Sequence, residues 1–215
     1  MKCSNINKCE KCKYLSICRY CPAKFFMETN NYEVPPSWYC EFSNAVFDNY
    51  ISGYRFIRKK LLTSEEVEQL YSIIAENMRS LGFDVKEGDK DLWCNRLIQD
   101  IRNNTFYLFV IYFNGKICGF VEIFETADGL FLSEFEIASW CQGTRVILFA
   151  INKLLNYSEF KNFNTIKFKI NKTNKLSEKT FKHLGAERCG ETEKSNIFLL
   201  TRGEVDKFCN KFDYK

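Results

Sequence analysis

The chain is short of the features that mark a protein for a membrane, for export or for nucleic acid. No apolar run approaches the roughly 20 residues needed to span a bilayer, so no membrane partner is expected. Met1-Lys2-Cys3-Ser4-Asn5 is not followed by an apolar stretch, so no signal peptide is visible and a cytoplasmic location is expected. With 31 basic and 27 acidic residues the formal charge is only +4, without the basic footprint of a nucleic-acid binder. Histidine occurs once, at His183, in a lysine-bearing helical stretch with Lys179 and Lys182, which suits a surface residue better than a catalytic one. Internal repeats and low-complexity segments are absent.

Cysteine and phenylalanine are plentiful instead. Six of the eleven cysteines lie in the first 40 residues, while Cys94, Cys118, Cys141, Cys189 and Cys209 are scattered through apolar contexts as small buried hydrophobes. A secreted disulfide scaffold would be short throughout and carry a signal, so a reducing compartment and a metal site are the better reading. Cys9-x2-Cys12-x5-Cys18-x2-Cys21 is followed by Cys40, in a segment interrupted by Pro22, Pro35 and Pro36. So small a segment buries too little apolar surface to fold alone and needs a metal or cluster as its core. Four such thiolates can wrap one tetrahedral centre or one cubane cluster.

The run CEKCKYLSICRYCPAKFFMETNNYEVPPSWYCE resembles the C-terminal part of the SPASM domain, the auxiliary iron–sulfur region of radical SAM peptide-modifying enzymes. The resemblance implies that Cys9, Cys12, Cys18 and Cys40 hold one 4Fe–4S cluster, with a zinc knuckle on the same ligands as the alternative. Cys21 matches a family cysteine that serves a second cluster, whose other ligands are missing here, as is any C-x3-C-x2-C radical SAM triplet. No radical chemistry is implied, and Cys3 and Cys21 are left without a role.

The rest of the chain reads as alternating strands and helices. Arg55, Arg58, Lys59 and Lys60 form a charged run on a first strand that suits a solvated sheet edge. Thr63-Ser64-Glu65-Glu66 is a capping box, and Val67, Leu70, Tyr71, Ile74, Met78 and Leu81 follow at helical spacing before Gly82. A second helix is expected over 91–102 with Leu92, Trp93, Leu97 and Ile101 inward. Residues 105–113 and 116–125 flank Asn114-Gly115 as a hairpin, and Asp128-Gly129 turns into a third strand over 131–138. Alternation there places Phe131, Phe135 and Ile137 on one face and Glu134 and Glu136 on the other. Residues 146–155 are apolar nearly all round, as in a buried helix. Between strand and helix, Cys141-Gln142-Gly143-Thr144-Arg145 forms a turn whose N–H groups make an anion seat suited to a pyrophosphate. A strand over 165–170, a helix over 171–184 closed by Gly185, a hairpin (188–191 and 196–201) and a terminal helix over 204–211 complete the chain.

This order resembles that of the GNAT superfamily of acyl-CoA-dependent N-acyltransferases. Asn174-x2-Ser177-x3-Phe181-Lys182-His183-Leu184-Gly185-Ala186 is similar to the family's N-x2-A-x3-Y-x-x-L-G-F/A signature. The resemblance implies an α+β fold, α/β/α layered, with a mixed and mostly antiparallel sheet over 53–215, preceded by the Cys-rich module over 1–52. It also implies acetyl-CoA, bound by Ile137, Ala138, Ser139, Gln142, Gly143, Thr144, Arg145, Val146, Asn174 and Ser177. Backbone N–H groups around residues 137–139 would polarise the acetyl carbonyl. Glu134 or Glu136 would be the base that takes the proton of an amine acceptor, either a small molecule or a peptide, with the first module as a docking surface for a partner. Two features depart from the family, the phosphate loop and the position of the general acid. Arg145 and Ile147 stand where its phosphate loop has small residues, and Phe181 replaces the tyrosine that protonates the leaving thiolate in many members. Those departures favour the alternative, a non-catalytic acyl-CoA sensor or docking protein.

Overall fold

The computed structural model describes residues 22–31, 36, 53–142 and 146–212. The chain divides into two compact units, Met1–Gly53 with Cys209–Lys215, and Tyr54–Phe208. In the first, Pro22 does not interrupt structure but opens helix α1, Pro22–Thr29. Proline is tolerated in a first helical turn because the missing N–H has no intrahelical partner there anyway. Asn30, at φ 53°, ends the helix in the left-handed conformation that asparagine tolerates. The cysteines of the expected cluster, Cys9, Cys12, Cys18 and Cys40, lie outside the described residues, as do Cys3 and Cys21. Among the described residues no helix is long and apolar enough to cross a membrane.

The second unit is built on strands β1 (Tyr54–Lys59), β2 (Tyr107–Phe113), β3 (Lys116–Thr126), β4 (Gly129–Ile137), β5 (Thr165–Asn171), β6 (Glu187–Glu191) and β7 (Ser195–Thr201). They form one sheet in the order β1-β2-β3-β4-β5-β7-β6, antiparallel throughout except between β4 and β5. The α+β architecture with a mostly antiparallel sheet is therefore as the sequence implied. Asn114 and Gly115, at φ 49° and 83°, make the β2–β3 turn, the left-handed pair that a two-residue hairpin requires.

Helices α2 (Ser64–Ser80) and α3 (Glu87–Arg102) cover one face of the sheet. The Thr63 capping box is present, with Glu66 N–H donating to Thr63 Oγ1 at 3.1 Å and Thr63 N–H donating to Glu66 Oε2 at 3.0 Å. The buried stripe of α2 is Val67, Leu70, Ile73 and Ala75, and Met78, expected inward, is 38% exposed. Helix α3 starts a turn earlier than its apolar pattern suggested, where the Asp89 carboxylate accepts the Lys86 N–H, and Leu92 is 73% exposed rather than inward. Leu70, Leu97, Leu108, Val110 and Phe120 form the core of this layer.

The other face carries α4 (Val146–Leu155) and α5 (Lys175–His183). Seven of the ten α4 residues are buried, as expected of a helix apolar nearly all round. Phe109 stacks on Phe56 at 4.7 Å and meets Tyr157 and Phe160 edge-on, while Phe181 of α5 lies 4.4 Å from Phe168. Helix α5 begins at Lys175 rather than at 171, because Asn171 instead accepts the Thr173 N–H in a turn and Asn174 caps the helix. Arg202 opens a last helix, α6 (Arg202–Phe212), and donates to the carbonyls of Leu155, Phe160, Lys161 and Phe163 beyond the end of α4. The Arg58 and Lys59 side chains are not simply solvated. Edge strand β1 pairs them with Glu159 and Glu66.

Candidate active site

The residues that carry chemistry gather on β3 and β4, on the face covered by α2 and α3. A register shift across Ser133 decides this. Ile123 pairs with Leu132 and Glu122 with Glu134, so one residue of β4 is left over and the alternation reverses. Phe131 consequently lies on the same face as Glu134 and Glu136, stacked on Phe124 at 5.0 Å, and not with Phe135 and Ile137 as simple alternation suggested.

Glu122, completely buried, sits directly across from Glu134. Arg96 of α3 spans the pair: Nη2 donates to Glu134 Oε1 at 2.8 Å, and Nη1 donates to Glu122 Oε2 at 3.3 Å. Trp93 Nε1–H donates to Glu134 Oε2 at 3.4 Å. Burial, and next the Glu134 charge, push the Glu122 carboxyl up to about 8, against the opposing pull of Arg96. Glu134 is also raised, chiefly by burial, with Arg96 opposing. Two carboxylates this close favour sharing a proton over carrying two charges.

Glu136 stands apart from that pair. Its Oε2 accepts a hydrogen bond from Asn77 Nδ2 of α2 at 2.6 Å. Burial raises its carboxyl to about 7, with the Asn77 bond opposing and the Glu134 charge adding to the rise. A carboxylate that titrates near neutrality can both take and release a proton at physiological pH. Gly119 makes room for β4 at this point, since a Cβ there would lie 2.5 Å from the Glu136 carbonyl oxygen.

The end of β4 runs on past its ladder with β5. Ala138 N–H donates to the Cys118 carbonyl at 2.9 Å, so that N–H is engaged with β3. In an antiparallel ladder neighbouring residues point their amides to opposite sides, so the Ile137 amide points away from β3, toward β5. The ladder between β4 and β5 covers only Leu130–Leu132 with Ile166–Phe168 and has ended well before Ile137. Ser139 begins a 3₁₀ turn, Ser139–Cys141, that intervenes between β4 and the loop.

Of the other expected site residues, Gln142 reaches back rather than outward: its Nε2 donates to Asn77 Oδ1 at 2.9 Å and to the Ile137 carbonyl at 3.2 Å. Gly143, Thr144 and Arg145 lie outside the described residues. Val146 is buried as the first residue of α4, and Asn174 Oδ1 accepts the Ser177 N–H at 3.0 Å as the cap of α5. Phe181 packs between Phe168 and Phe135, a core residue with no proton to donate. Cys141 is buried and accepts a hydrogen bond from the Cys118 thiol, which holds it down while Cys118 is pushed up, and His183 is exposed. No group of three or more His, Cys, Asp or Glu among the described residues is placed to hold a metal.

Asn77, Arg96, Trp93 and Glu122 were not singled out from the sequence as site residues. Only Glu122 left a signal there, as the lone charge inside the apolar run of β3. Asn77 and Arg96 face the site from helices, where a polar residue off the apolar stripe looks like any solvated position, and Trp93 read as one of the inward apolar residues of its helix.

No family model matches the sequence, and no curated protein matches it significantly. Similarity to solved structures is extensive at the level of fold. An acetyltransferase from Streptococcus agalactiae superposes with a TM-score of 0.58 at 15% identity, over 69% of this chain and 98% of that one. The PaiA N-acetyltransferase of Thermoplasma acidophilum, solved in complex with coenzyme A, gives 0.56 at 13% identity, over 68% and 99%. FdhC, a nucleotide-linked sugar GNAT, gives 0.57 at 10% identity, over 75% and 93%. The sheet and its helices therefore have the GNAT acetyltransferase fold.

Proposed function

We propose that the second unit is an acetyl-CoA-dependent N-acetyltransferase with Glu136 as its general base. The observation that carries this reading is the position of Glu136: a carboxyl poised near neutrality, at the end of the strand where the ladder with β5 has already stopped. The coenzyme A bound by the Thermoplasma acidophilum neighbour supports the choice of cofactor. In this reading the acyl thioester lies along the open side of β4, with its carbonyl oxygen on the Ile137 N–H and the adjoining Ser139 N–H. The pyrophosphate rests on Gln142, Gly143, Thr144, Arg145 and the Val146 end of α4, with Arg145 supplying a charge-assisted contact. Ser177, behind its Asn174 cap, lines the pantetheine side.

The acceptor nitrogen attacks the acetyl carbon as an amine, the C–S bond breaks, and the electron pair leaves with the coenzyme A sulfur. Glu136 takes the proton that nitrogen gives up. Phe181 cannot protonate the leaving thiolate, so the proton it acquires comes from water, and rate enhancement comes from positioning and proton removal. Glu134 is the weaker choice of base because Arg96 and Trp93 already occupy its oxygens.

The Cys-rich segment is assigned on its donor set alone. Four soft thiolates at Cys9, Cys12, Cys18 and Cys40 fit a 4Fe–4S cluster or zinc. Iron, sulfide and zinc analysis of anaerobically purified protein decides between the two. A module of this kind would present a peptide amine or a partner protein to the transferase.

The test is thermal unfolding of the full chain with and without saturating acetyl-CoA. A ligand at 100 times its dissociation constant stabilises the native state by about 2.7 kcal/mol, a plainly visible rise in Tm. Glu136→Gln should keep that rise and lose about 10²- to 10⁴-fold in turnover once an acceptor is found. A folded protein with no rise in Tm sinks the transferase reading. Phe181, packed as core, would then favour a GNAT-shaped docking protein.

A further inference from the structure

The Glu136 carboxylate, the Asn77 amide and the Gln142 amide form a chain of hydrogen bonds whose direction chemistry dictates. The Ile137 carbonyl is a backbone acceptor that cannot rotate or change role. Both amides donate to it, Asn77 Nδ2 at 3.1 Å and Gln142 Nε2 at 3.2 Å. With Nδ2 turned toward that carbonyl and toward Glu136, Asn77 has only Oδ1 left for Gln142, and Gln142 Nε2 donates to it at 2.9 Å. Turning either amide over would set two acceptors or two donors against each other. The amide orientations are thus assigned by satisfaction of the network rather than by choice.

We propose that Asn77 is a positioning residue for Glu136, presenting to it an N–H whose direction the Ile137 carbonyl and Gln142 fix together. Resting on the reading of Glu136 as base, this gives that base a fixed hydrogen-bond donor. A permanently presented N–H favours the carboxylate over the neutral acid and aims its second oxygen at the acceptor. Without the Asn77 N–H, Glu136 loses the one bond that opposes its burial and becomes harder to ionise.

Few other charges bear on Glu136. Glu134 shares its face of β4, Arg96 of α3 is committed to Glu134 and Glu122, and Phe120 lies opposite on β3. From β5, Lys167 pairs with Asp128 and Lys169 sits over the Phe131 ring. The Asn77 bond is accordingly the main influence opposing burial at Glu136.

The experiment is a carbon-13 NMR titration of the Glu136 side-chain carboxyl in the full chain, without any coenzyme, identified by its loss in Glu136→Gln. Asn77→Leu should move the Glu136 midpoint up by about one pH unit. Gln142→Ala, which touches no carboxylate, should move it in the same direction by a smaller amount. If Asn77→Leu does not fold, isosteric Asn77→Asp serves, and its acceptor-only carboxylate should raise the midpoint further still. An unchanged midpoint in the folded Asn77 variant overturns the positioning role, and an unchanged midpoint in Gln142→Ala overturns the part given to Gln142. Because the readout needs no turnover, a shifted titration in a protein that fails to bind acetyl-CoA removes the transferase reading and leaves the hydrogen-bond chain standing.

Discussion

The two faces of the same sheet are built on opposite principles. On the α4 side, Phe56, Phe109, Tyr157 and Phe160 interlock at 4.7–6.0 Å, an apolar wall held by burial and ring packing. On the α2–α3 side the apolar core around Phe120 gives way to Glu122, Glu134 and Glu136 under Arg96 and Asn77. Strands β3 and β4 contribute to both, so the difference is not one of secondary structure or depth. Burying carboxylates costs several kcal/mol per charge unless they are paired or protonated, and a domain that needed only stability would have filled the space with aliphatics. The acidic side is where stability has been given up for a titratable site.

Three substitutions sharpen that contrast, taken from the largest effect down. Phe109→Ala removes the centre of the aromatic wall and should cost about 3–5 kcal/mol in denaturant unfolding, equally at pH 5 and pH 9. A loss that varied with pH would show that the wall is coupled to the acidic side. Arg96→Met should cost about 2 kcal/mol at pH 9, a figure discounted because the guanidinium is partly exposed. Without the cation Glu122 and Glu134 hold protons more tightly, so less of that cost should remain at pH 5. Equal losses at both values would mean the Arg96 stem, not its charge, does the holding.

The smallest effect is the most diagnostic. Glu122 and Glu136 titrate in the folded protein near 8 and 7, above their ordinary 4.5, so the native state binds the extra protons. Stability should therefore fall as pH rises from about 4.5 to 8, the reverse of a protein held by salt-bridged carboxylates. Glu122→Gln should flatten that slope and stay within about 1 kcal/mol of the parent at pH 6, since Arg96 keeps Glu134. A slope unchanged by the substitution would mean that Glu122 ionises normally.

Much of this was legible in the residues. The Thr63 capping box, the Asn114-Gly115 turn and the all-round apolarity of α4 are local signals, and each appears where the sequence placed it because neighbours in the chain supply both partners. Signals depending on a single period failed where a single residue intervened. The bulge at Ser133 turned Phe131 to the other face, and Asn171 captured a backbone N–H and delayed α5 by a turn. Alternation put Glu134 and Glu136 on one face and the resemblance to GNAT acyltransferases made them candidate bases, but nothing in the chain said which of them a cation would claim.

What the sequence determined by itself was the order of elements, the central strand and the shared face of Glu134 and Glu136, since periodicity, caps and turns are properties of adjacent residues. What only the tertiary structure decided was the division of labour among the acids. Arg96 and Trp93 come from one helix and Asn77 from another, and their distances to Glu134 and Glu136 depend on how those helices cross the sheet. Titration follows burial and neighbours through space, and neither is written in the spacing of residues along the chain.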